Sequence, residues 1–308
     1  MIELLLAPSV FVSAIRLATP YMFAGIGEMF GQRSGVLNLG VEGVMLMGAF
    51  VGYYVALMTG NLAIALAATV ALGVVMGLAT AFISVTLKAQ QGISGIGIYL
   101  FGLGMSDLLF QTLVGTPRTV AGFPRIAIPF LSDIQLLSIG EIFFNHNLLV
   151  YIAFLLVPIS AFILSRTPLG LMIRAVGQNP EAADAMGINV NRVRYLTVIA
   201  GGILAAVAGA ALSIALINVF QQNLTSGRGF IAVALVYFGR WRPFGVMVGA
   251  LLFSFVNALQ LQVSAVGIDI PAEFAVMAPY VITIIALVFA SKQTEKPTAL
   301  TKPFDRGG

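Results

Sequence analysis

The chain has 308 residues, of which 59% are hydrophobic and only 9% are charged, and its formal net charge is +4. An ordinary soluble domain is about 25% charged, so this composition excludes a soluble enzyme. The absence of cysteine excludes disulfides, thiolate metal sites and cysteine nucleophiles, and a single histidine, His146, leaves little material for a metal site. We therefore expect an integral membrane protein.

Long uncharged stretches predict where the chain crosses the membrane. Three of them lie between Glu42 and Lys88, between Arg194 and Arg228, and between Arg242 and Asp269. A hydrocarbon core of about 30 Å takes about 20 helical residues, so the first stretch holds two spans that turn at 59–61. Further apolar runs occupy 9–29, 96–114, 148–165, 228–239 and 273–290. We predict an all-α integral membrane protein with about nine transmembrane helices (8–10), some of them discontinuous.

The basic residues predict the orientation. When the loops alternate between the two sides, only Arg118 and Arg125 fall on one side, and twelve basic residues fall on the other: Arg33, Lys88, Arg166, Arg174, Arg192, Arg194, Arg240, Arg242, Lys292, Lys296, Lys302 and Arg306. Cytoplasmic loops carry an excess of Lys and Arg, so the second side is predicted to be cytoplasmic. We expect one polytopic domain at 1–290, with an external loop at 115–147 and a cytoplasmic loop at 166–194. A polar, disordered cytoplasmic tail is expected at 291–308.

Pairs of glycines four residues apart predict close helix packing. They are Gly27/Gly31, Gly48/Gly52, Gly73/Gly77 and Gly245/Gly249. Such pairs let helix backbones approach closely in lipid. Packing within one bundle is the favoured interpretation, and a face for a second subunit is the alternative.

Two glycine-punctuated stretches, 31–43 and 227–245, predict broken helices. In transporters, discontinuous helices in corresponding positions of two halves often mark the translocation site. Irregular backbone at membrane depth must be surrounded by protein or by a water-filled cavity, so both breaks are expected to face inward.

Polar side chains within or beside the spans are candidates for substrate contacts, because polar groups in hydrocarbon are costly. The tentative pathway residues are Asn38, Glu42, Gln111, Asn218, Asn257 and Phe253, and Glu28, Asp107 and Gln260 stand out for the same reason. Structural roles compete with this interpretation. Glu42 can instead pair with Arg33, Asp107 can cap its span, and amides commonly bond neighbouring helices.

The external loop 115–147 contains three prolines and the amphipathic run 134–144. Two interpretations are open: a docking surface for an external protein, or a helix that lies on the membrane. His146, at the end of the loop, is expected to be an interfacial residue.

The cytoplasmic loop 166–194 contains a short helix of about two turns with both ends marked. Asn179 can cap the N-terminus, and Pro180 suits the first helical position. Glu181 and Asp184 lie near the positive end of the helix dipole, and Gly187 can adopt the left-handed closing conformation. A small apolar face is predicted at Ala182, Ala183 and Met186. This helix either docks into a cytoplasmic partner or lies on the inner ends of the spans.

The pattern Glu181-Ala182-Ala183, followed by Gly187, resembles the EAA loop of permease subunits of bacterial ABC importers. In that family the loop forms the coupling helix that sits on the ATPase. The downstream I-x-L-P element is absent, because Thr197, Ile199 and Ala200 stand there, which suits the branched-chain amino acid, sugar and nucleoside branch. Residues 16–49 and 227–250 resemble the two signatures of that branch, and the N-L-G-x-E-G at 38–43 is similar to the nucleoside permeases.

The resemblance implies a membrane subunit that translocates nucleosides across the bacterial cytoplasmic (inner) membrane. It implies four partners: an ABC ATPase subunit, a second and different permease subunit, an extracytoplasmic substrate-binding protein and membrane lipid. No nucleic acid, metal or cofactor is expected in this chain, and ATP and Mg would bind to the ATPase. No lysine stands in a G-x-x-x-x-G-K-[ST] loop, so the chain lacks that route to ATP hydrolysis. The alternatives are an importer of a sugar or a branched-chain amino acid and, less favoured, an ion-coupled secondary transporter.

Overall fold

The computed structural model describes residues 8–127, 139–266, 277, 281 and 296–306. Helices dominate, which confirms the all-α class, and two three-residue strands pair antiparallel with Arg125 opposite Asn147. The helices are α1 Pro8–Arg33, α2 Val41–Thr59, α3 Leu62–Ala81, α4 Gln91–Leu113, α5 Ile139–Phe144, α6 Leu148–Arg166, α7 Pro168–Gln178, α8 Pro180–Ala185, α9 Val190–Ala211, α10 Arg228–Phe238 and α11 Pro243–Val266. The strands are β1 Arg125–Ala127 and β2 Asn145–Asn147. Single π-helical turns extend α3 at Phe82–Thr86 and α9 at Leu212–Leu216.

Seven helices in the described part of the chain are long and apolar enough to cross a membrane. They are α1, α2, α3, α4, α6, α9 and α11, with α3 and α9 extended by their π-helical turns. The predicted run at 228–239 forms α10, whose 11 residues are too few to span a bilayer alone. The predicted run at 273–290 lies outside the described residues, except for single positions. The count of about nine therefore remains approximate.

Helix α9 lies at the centre of the bundle, packed against α1, α2 and α3. Small residues make this possible. Gly27 lies against Gly201, Gly48 against Ala206, and Gly73 against Ile203. Gly245 likewise packs on Gly239, within the α10–α11 turn. The glycine pairs thus serve packing within the bundle, as favoured from the sequence.

Replacing Gly48 with alanine is expected to destabilise the bundle. An added Cβ would lie 2.5 Å from the Cα of Ala206, and this obstacle is backbone that cannot rotate away. Overpacking of this kind typically costs about 1–3 kcal/mol. The control is Gly104→Ala on α4, where no atom lies within 4 Å of an added Cβ. Thermal unfolding of the purified subunit should show a lower midpoint for Gly48→Ala only, and equal losses would contradict the packing argument.

The first predicted break faces inward. Residues 34–40 separate α1 from α2, and most of them are buried. The predicted break at 227–245 is mainly the short helix α10, and the irregular segments on each side of it are only partly buried, since Gln221, Gln222 and Asn223 are exposed. These segments are 217–227 before α10 and the turn at 239–242 after it. Within them, Phe220, Leu224, Thr225 and Trp241 are each at most 2% exposed.

Candidate functional site

The N-termini of α2 and α10, the helices that follow the two irregular segments, meet at one buried carboxylate. Glu42, in the first turn of α2, is 1% exposed. Its Oε1 accepts hydrogen bonds from the Thr225 hydroxyl and the Gly227 amide, both at 2.6 Å, and its Oε2 accepts one from the Gly229 amide. A carboxylate at helix N-termini satisfies free backbone N–H groups and complements the helix dipole. Glu42 thereby joins α2 to α10.

These hydrogen bonds give Glu42 a structural role. The sequence offered Arg33 as its structural partner, and the structure shows the groups at the N-terminus of α10 instead. The Arg33 Nε donates instead to the Trp241 carbonyl at 2.9 Å, at the far end of α10. Trp241 Nε1 also donates to Gln32 Oε1 at 2.8 Å. Both ends of α10 are therefore held by the segment that runs from the last turn of α1 to the first turn of α2.

A second buried carboxylate shapes the first break. Glu28 Oε1 accepts hydrogen bonds from Gln32 Nε2 at 2.9 Å and from the Asn38 amide at 3.0 Å. The Asn38 side chain accepts from the Gly40 amide at 2.9 Å. Both side chains thus bond to the chain's own groups, and the break at 34–40 folds back along α1 to the level of Glu28.

The point where the N-termini of α2 and α10 meet lies near the middle of α4. Gly43, next to Glu42, packs against the backbone of Tyr99 and Gly102. Gly102 is the midpoint of the 23-residue helix α4. Discontinuous helices that meet at this depth have the geometry of transporter pathways.

The other predicted pathway residues lie apart from this meeting point. Phe253 is buried on α11, edge-to-face with Tyr21 at 5.2 Å between ring centroids, and Asn257 is half-buried further along the same helix. Asn218 follows α9 with a left-handed backbone, and its carbonyl accepts from the Val120 amide. Gln111 is exposed on α4 and donates to Asp107 at 3.1 Å. The structure brings Asn38 and Glu42 together but not the remaining four.

Sequence reasoning missed two residues that complete these contacts. Thr225 donates to Glu42, and Gln222 donates to Asp107. Both lie in an irregular segment that carries no periodic pattern. Their partners are 183 and 115 residues away, so no local signal identifies them.

The capped helix of the 166–194 loop is present as α8. The Asn179 side chain accepts from the Ala182 amide at 3.0 Å, Pro180 begins the helix, and Gly187 has φ +85°. These caps confirm the predicted helix, which is shorter than two turns. Its apolar face is divided, because Ala183 is 4% exposed and packs against the bundle whereas Met186 is 83% exposed.

A second helix of the 166–194 loop, α7, was missed and precedes α8 directly. Its signal was the same, since Thr167 caps the Gly170 amide and Pro168 follows it. Gly177 near its end packs on the carbonyl of Arg33. The helix pair α7–α8 therefore contacts the chain where the first break begins. We call the end of the bundle that carries Arg33, Lys88, Arg174 and Arg194 the basic end.

The tail expected to be disordered is packed on the basic end over residues 296–306. The Ala299 amide donates to the Gly177 carbonyl, and the Thr301 amide to the Gly35 carbonyl, each at 3.0 Å. Ala299 is 3% exposed. Backbone groups of α7 and of the first break thus hold the tail in place.

One buried cation and two ion pairs complete this contact. Arg194, 1% exposed, donates to the carbonyls of Ser34 and Lys302. Arg306 pairs with Asp184 of α8 at 3.0 Å, and Lys88 pairs with Asp305. The tail therefore joins α8, the first break and the start of α9.

At the opposite end of the bundle, the described parts of the 115–147 loop are folded rather than extended. β1 pairs with β2, and Tyr53 donates to the Arg118 carbonyl at 2.7 Å. His146 is 1% exposed, so it is buried, not exposed at an interface. Burial lowers the pKa of its imidazole, which favours the neutral form. Residues 134–138 of the predicted amphipathic run lie outside the described part.

An all-α bundle of membrane-length apolar helices, in which two interrupted segments meet near the middle of a span, is typical of polytopic membrane transporters. The family model described as "Branched-chain amino acid transport system / permease component" matches residues 10–287. The chain belongs to this permease family. Permease subunits of ABC transporters have no ATPase site of their own, so this chain is the membrane-spanning component and the ATPase is a separate partner.

Three curated relatives match nearly the whole chain. The putative glucose ABC transporter permease protein TsgC13 of Haloferax volcanii is 39% identical, covering 96% of both chains. The guanosine ABC transporter permease protein NupQ of Bacillus subtilis is 36% identical, covering 94% of both. The nucleoside ABC transporter permease protein NupC of Lactococcus lactis is 33% identical, covering 92% of both. No solved structure matches significantly.

Proposed function

We propose that this permease component carries nucleosides into the cell as part of an ATP-driven importer. The observation that carries the substrate assignment is the likeness of nearly the whole chain to relatives named for guanosine and nucleoside transport. The N-L-G-x-E-G stretch at 38–43 supports the same assignment. A nucleoside is neutral, and the two carboxylates that are buried in the described part of the chain, Glu28 and Glu42, both bond to the chain's own groups.

In this proposal, α8 couples transport to ATP hydrolysis. The helix is capped at both ends, and Glu181 and Met186 are exposed beside the buried Ala183 that anchors it. A six-residue helix is too short to be stable alone. Its packing on the bundle therefore stabilises α8 and lets it transmit a movement of the ATPase to the spans. The coupling set is the one predicted from the sequence: Asn179, Pro180, Glu181, Ala182, Ala183, Asp184, Met186 and Gly187.

The proposed assembly places the basic end in the cytoplasm, together with the C-terminus, in accordance with the positive-inside rule. The ATPase, which binds ATP and Mg, docks there. A second, different permease subunit completes the pathway, and an extracytoplasmic binding protein delivers substrate at the opposite end, near the 115–147 loop. The localisation is the cytoplasmic membrane.

Uptake by the assembled importer in proteoliposomes tests the proposal. With ATP and the binding protein present, we expect accumulation of labelled guanosine and uridine, and none of glucose or leucine. ATP replaced by ADP is the control. Uptake that needs an ion gradient and no ATP would instead indicate a secondary transporter.

A sugar is the second candidate substrate, because the 39% identical relative is named for glucose. The same experiment separates the two. Glucose uptake without nucleoside uptake would refute the nucleoside assignment and leave the importer class intact.

A further inference from the structure

An exposed polar cluster lies on the side of the bundle formed by α4 and the segment before α10. Asp107 of α4 accepts hydrogen bonds on both carboxylate oxygens, from Gln111 at 3.1 Å and from Gln222. Gln111 and Gln222 are exposed, and Asp107 is half-buried. Asp107 lies six residues before the end of α4, about 9 Å along a helix that rises 1.5 Å per residue.

Hydrocarbon is an unfavourable neighbour for this cluster. A carboxylate and two amides exposed at this depth would lose their hydration without full compensation, so intramembrane polar groups usually face a cavity or the bundle interior. The exposed face of α6 shows the contrasting composition, with Leu155 at 60% and Phe162 at 62% exposure. Leu100 and Leu108 of α4 are also exposed, at 57% and 55%, so it is the polar cluster itself that calls for a water-containing space.

An aromatic pair lies on the same side, closer to the middle of α4. Tyr99 of α4 and Phe230 of α10 meet edge-to-face at 5.2 Å between ring centroids. Phe230 is 37% exposed and follows Gly229, whose amide binds Glu42. Tyr99 is eight residues, or about 12 Å, from Asp107 along α4. The aromatic pair thus lies beside the point where the N-termini of α2 and α10 meet.

The chemistry of the two sites matches the two parts of a nucleoside. Ribose offers hydroxyl donors, and the carboxylate of Asp107 and the amide oxygens of Gln111 and Gln222 are acceptors. A nucleobase has a flat π face, which stacks on aromatic side chains regardless of its identity. No fixed counter-charge is needed for a neutral solute.

We propose that this side is the chain's wall of the translocation pathway, with the Asp107–Gln111–Gln222 cluster contacting the ribose and the Tyr99–Phe230 pair the base. The identification of the substrate as a nucleoside rests on the proposed function, whereas the location of the pathway wall does not. Gln222 lies in the segment that Glu42 holds through Thr225 and Gly227, so a movement of α10 would change its distance from Asp107.

The absence of cysteine from the chain makes a direct test possible. Gln111→Cys and, as the matched control, Leu155→Cys are each introduced into the complete importer in membranes and treated with a charged, membrane-impermeant methanethiosulfonate. We expect Gln111→Cys to react at least tenfold faster than Leu155→Cys, and guanosine delivered by the binding protein to slow its reaction severalfold. Equal, slow reaction of both would place Gln111 in lipid and overturn the proposal.

The solutes that slow the reaction of Gln111→Cys distinguish a failure of this proposal from a failure of the proposed function. Reaction of Gln111→Cys that no transported solute slows would place the cluster on the outer surface and also overturn the pathway wall. Protection by glucose, and not by guanosine, would support the wall and refute the nucleoside. A second variant, Asp107→Asn, should raise the KM for uptake about tenfold, whereas Thr112→Ala should not, because Thr112 donates within its own helix to Leu108.

Discussion

Replacing Glu42 with alanine is expected to abolish transport and to lower the thermal stability of the subunit. The change leaves the Thr225 hydroxyl and the amides of Gly227 and Gly229 without their acceptor in a buried site. Each buried donor left unsatisfied costs about 1–3 kcal/mol. Since these are the bonds that fix the N-terminus of α10, the N-termini of α2 and α10 should separate.

A graded series makes this prediction specific. Glu42→Gln keeps one acceptor oxygen but turns an N–H group toward a backbone donor, and Thr225→Val removes only one of the three bonds. Stability and uptake should therefore fall least for Thr225→Val, more for Glu42→Gln and most for Glu42→Ala. The measurements are the unfolding midpoint in detergent and nucleoside uptake in proteoliposomes. The control is Glu181→Ala, an exposed first-turn glutamate whose loss should leave the midpoint unchanged. A Glu42→Ala subunit with normal midpoint and uptake would contradict the claim that Glu42 joins α2 to α10.

The second large effect is expected at α8, where function should be lost without loss of fold. Met186 is 83% exposed, and Glu181 is exposed, so Met186→Glu and Glu181→Lys remove little packing within the chain. If α8 docks on the ATPase, a buried charge or a reversed charge in that interface should prevent assembly or coupling. We expect at least a tenfold loss of substrate-stimulated ATP hydrolysis for both variants, with an unchanged unfolding midpoint.

Two further variants sharpen the test of α8. Gly187→Val meets no atom within 4 Å, but φ +85° is strained for any residue with a Cβ, by about 1–2 kcal/mol. It should therefore disturb the end of α8 alone. Met58→Glu is the matched control, since Met58 is 56% exposed at the other end of the bundle, beside the turn at Gly60. Co-purification of the ATPase and normal coupling in all α8 variants would show that the coupling assignment is wrong.

The features that sequence predicted correctly depend on a few neighbouring residues. The cap of α8 is an example, because Asn179 and Pro180 act on amides within three positions. Close helix packing could also be predicted from the sequence, because a glycine pair presents a flat surface to whichever helix it meets. The same reasoning applied to Thr167 and Pro168 would have found α7.

The errors have one physical cause. A polar residue in an apolar span needs a partner, but its spacing along the chain does not say which one. Arg33 was a plausible partner for Glu42 by proximity in sequence, and the fold gave Glu42 the amides of α10 instead. The polar composition of the tail predicts disorder. Its docking depends on the carbonyls of Gly35 and Gly177, which composition cannot reveal.

The sequence by itself determined that the chain lies in a membrane, the approximate number of spans, the capped helix and the resemblance to ABC permeases. Few charges exclude a soluble protein, and caps and apolar runs act locally, so both can be read without a fold. Only the tertiary structure decided which groups join α2 to α10, where the tail lies and that Asp107 meets Gln222 across 115 residues. Those pairings join segments far apart in the chain, and local patterns do not predict them because they form only when the helices have packed together.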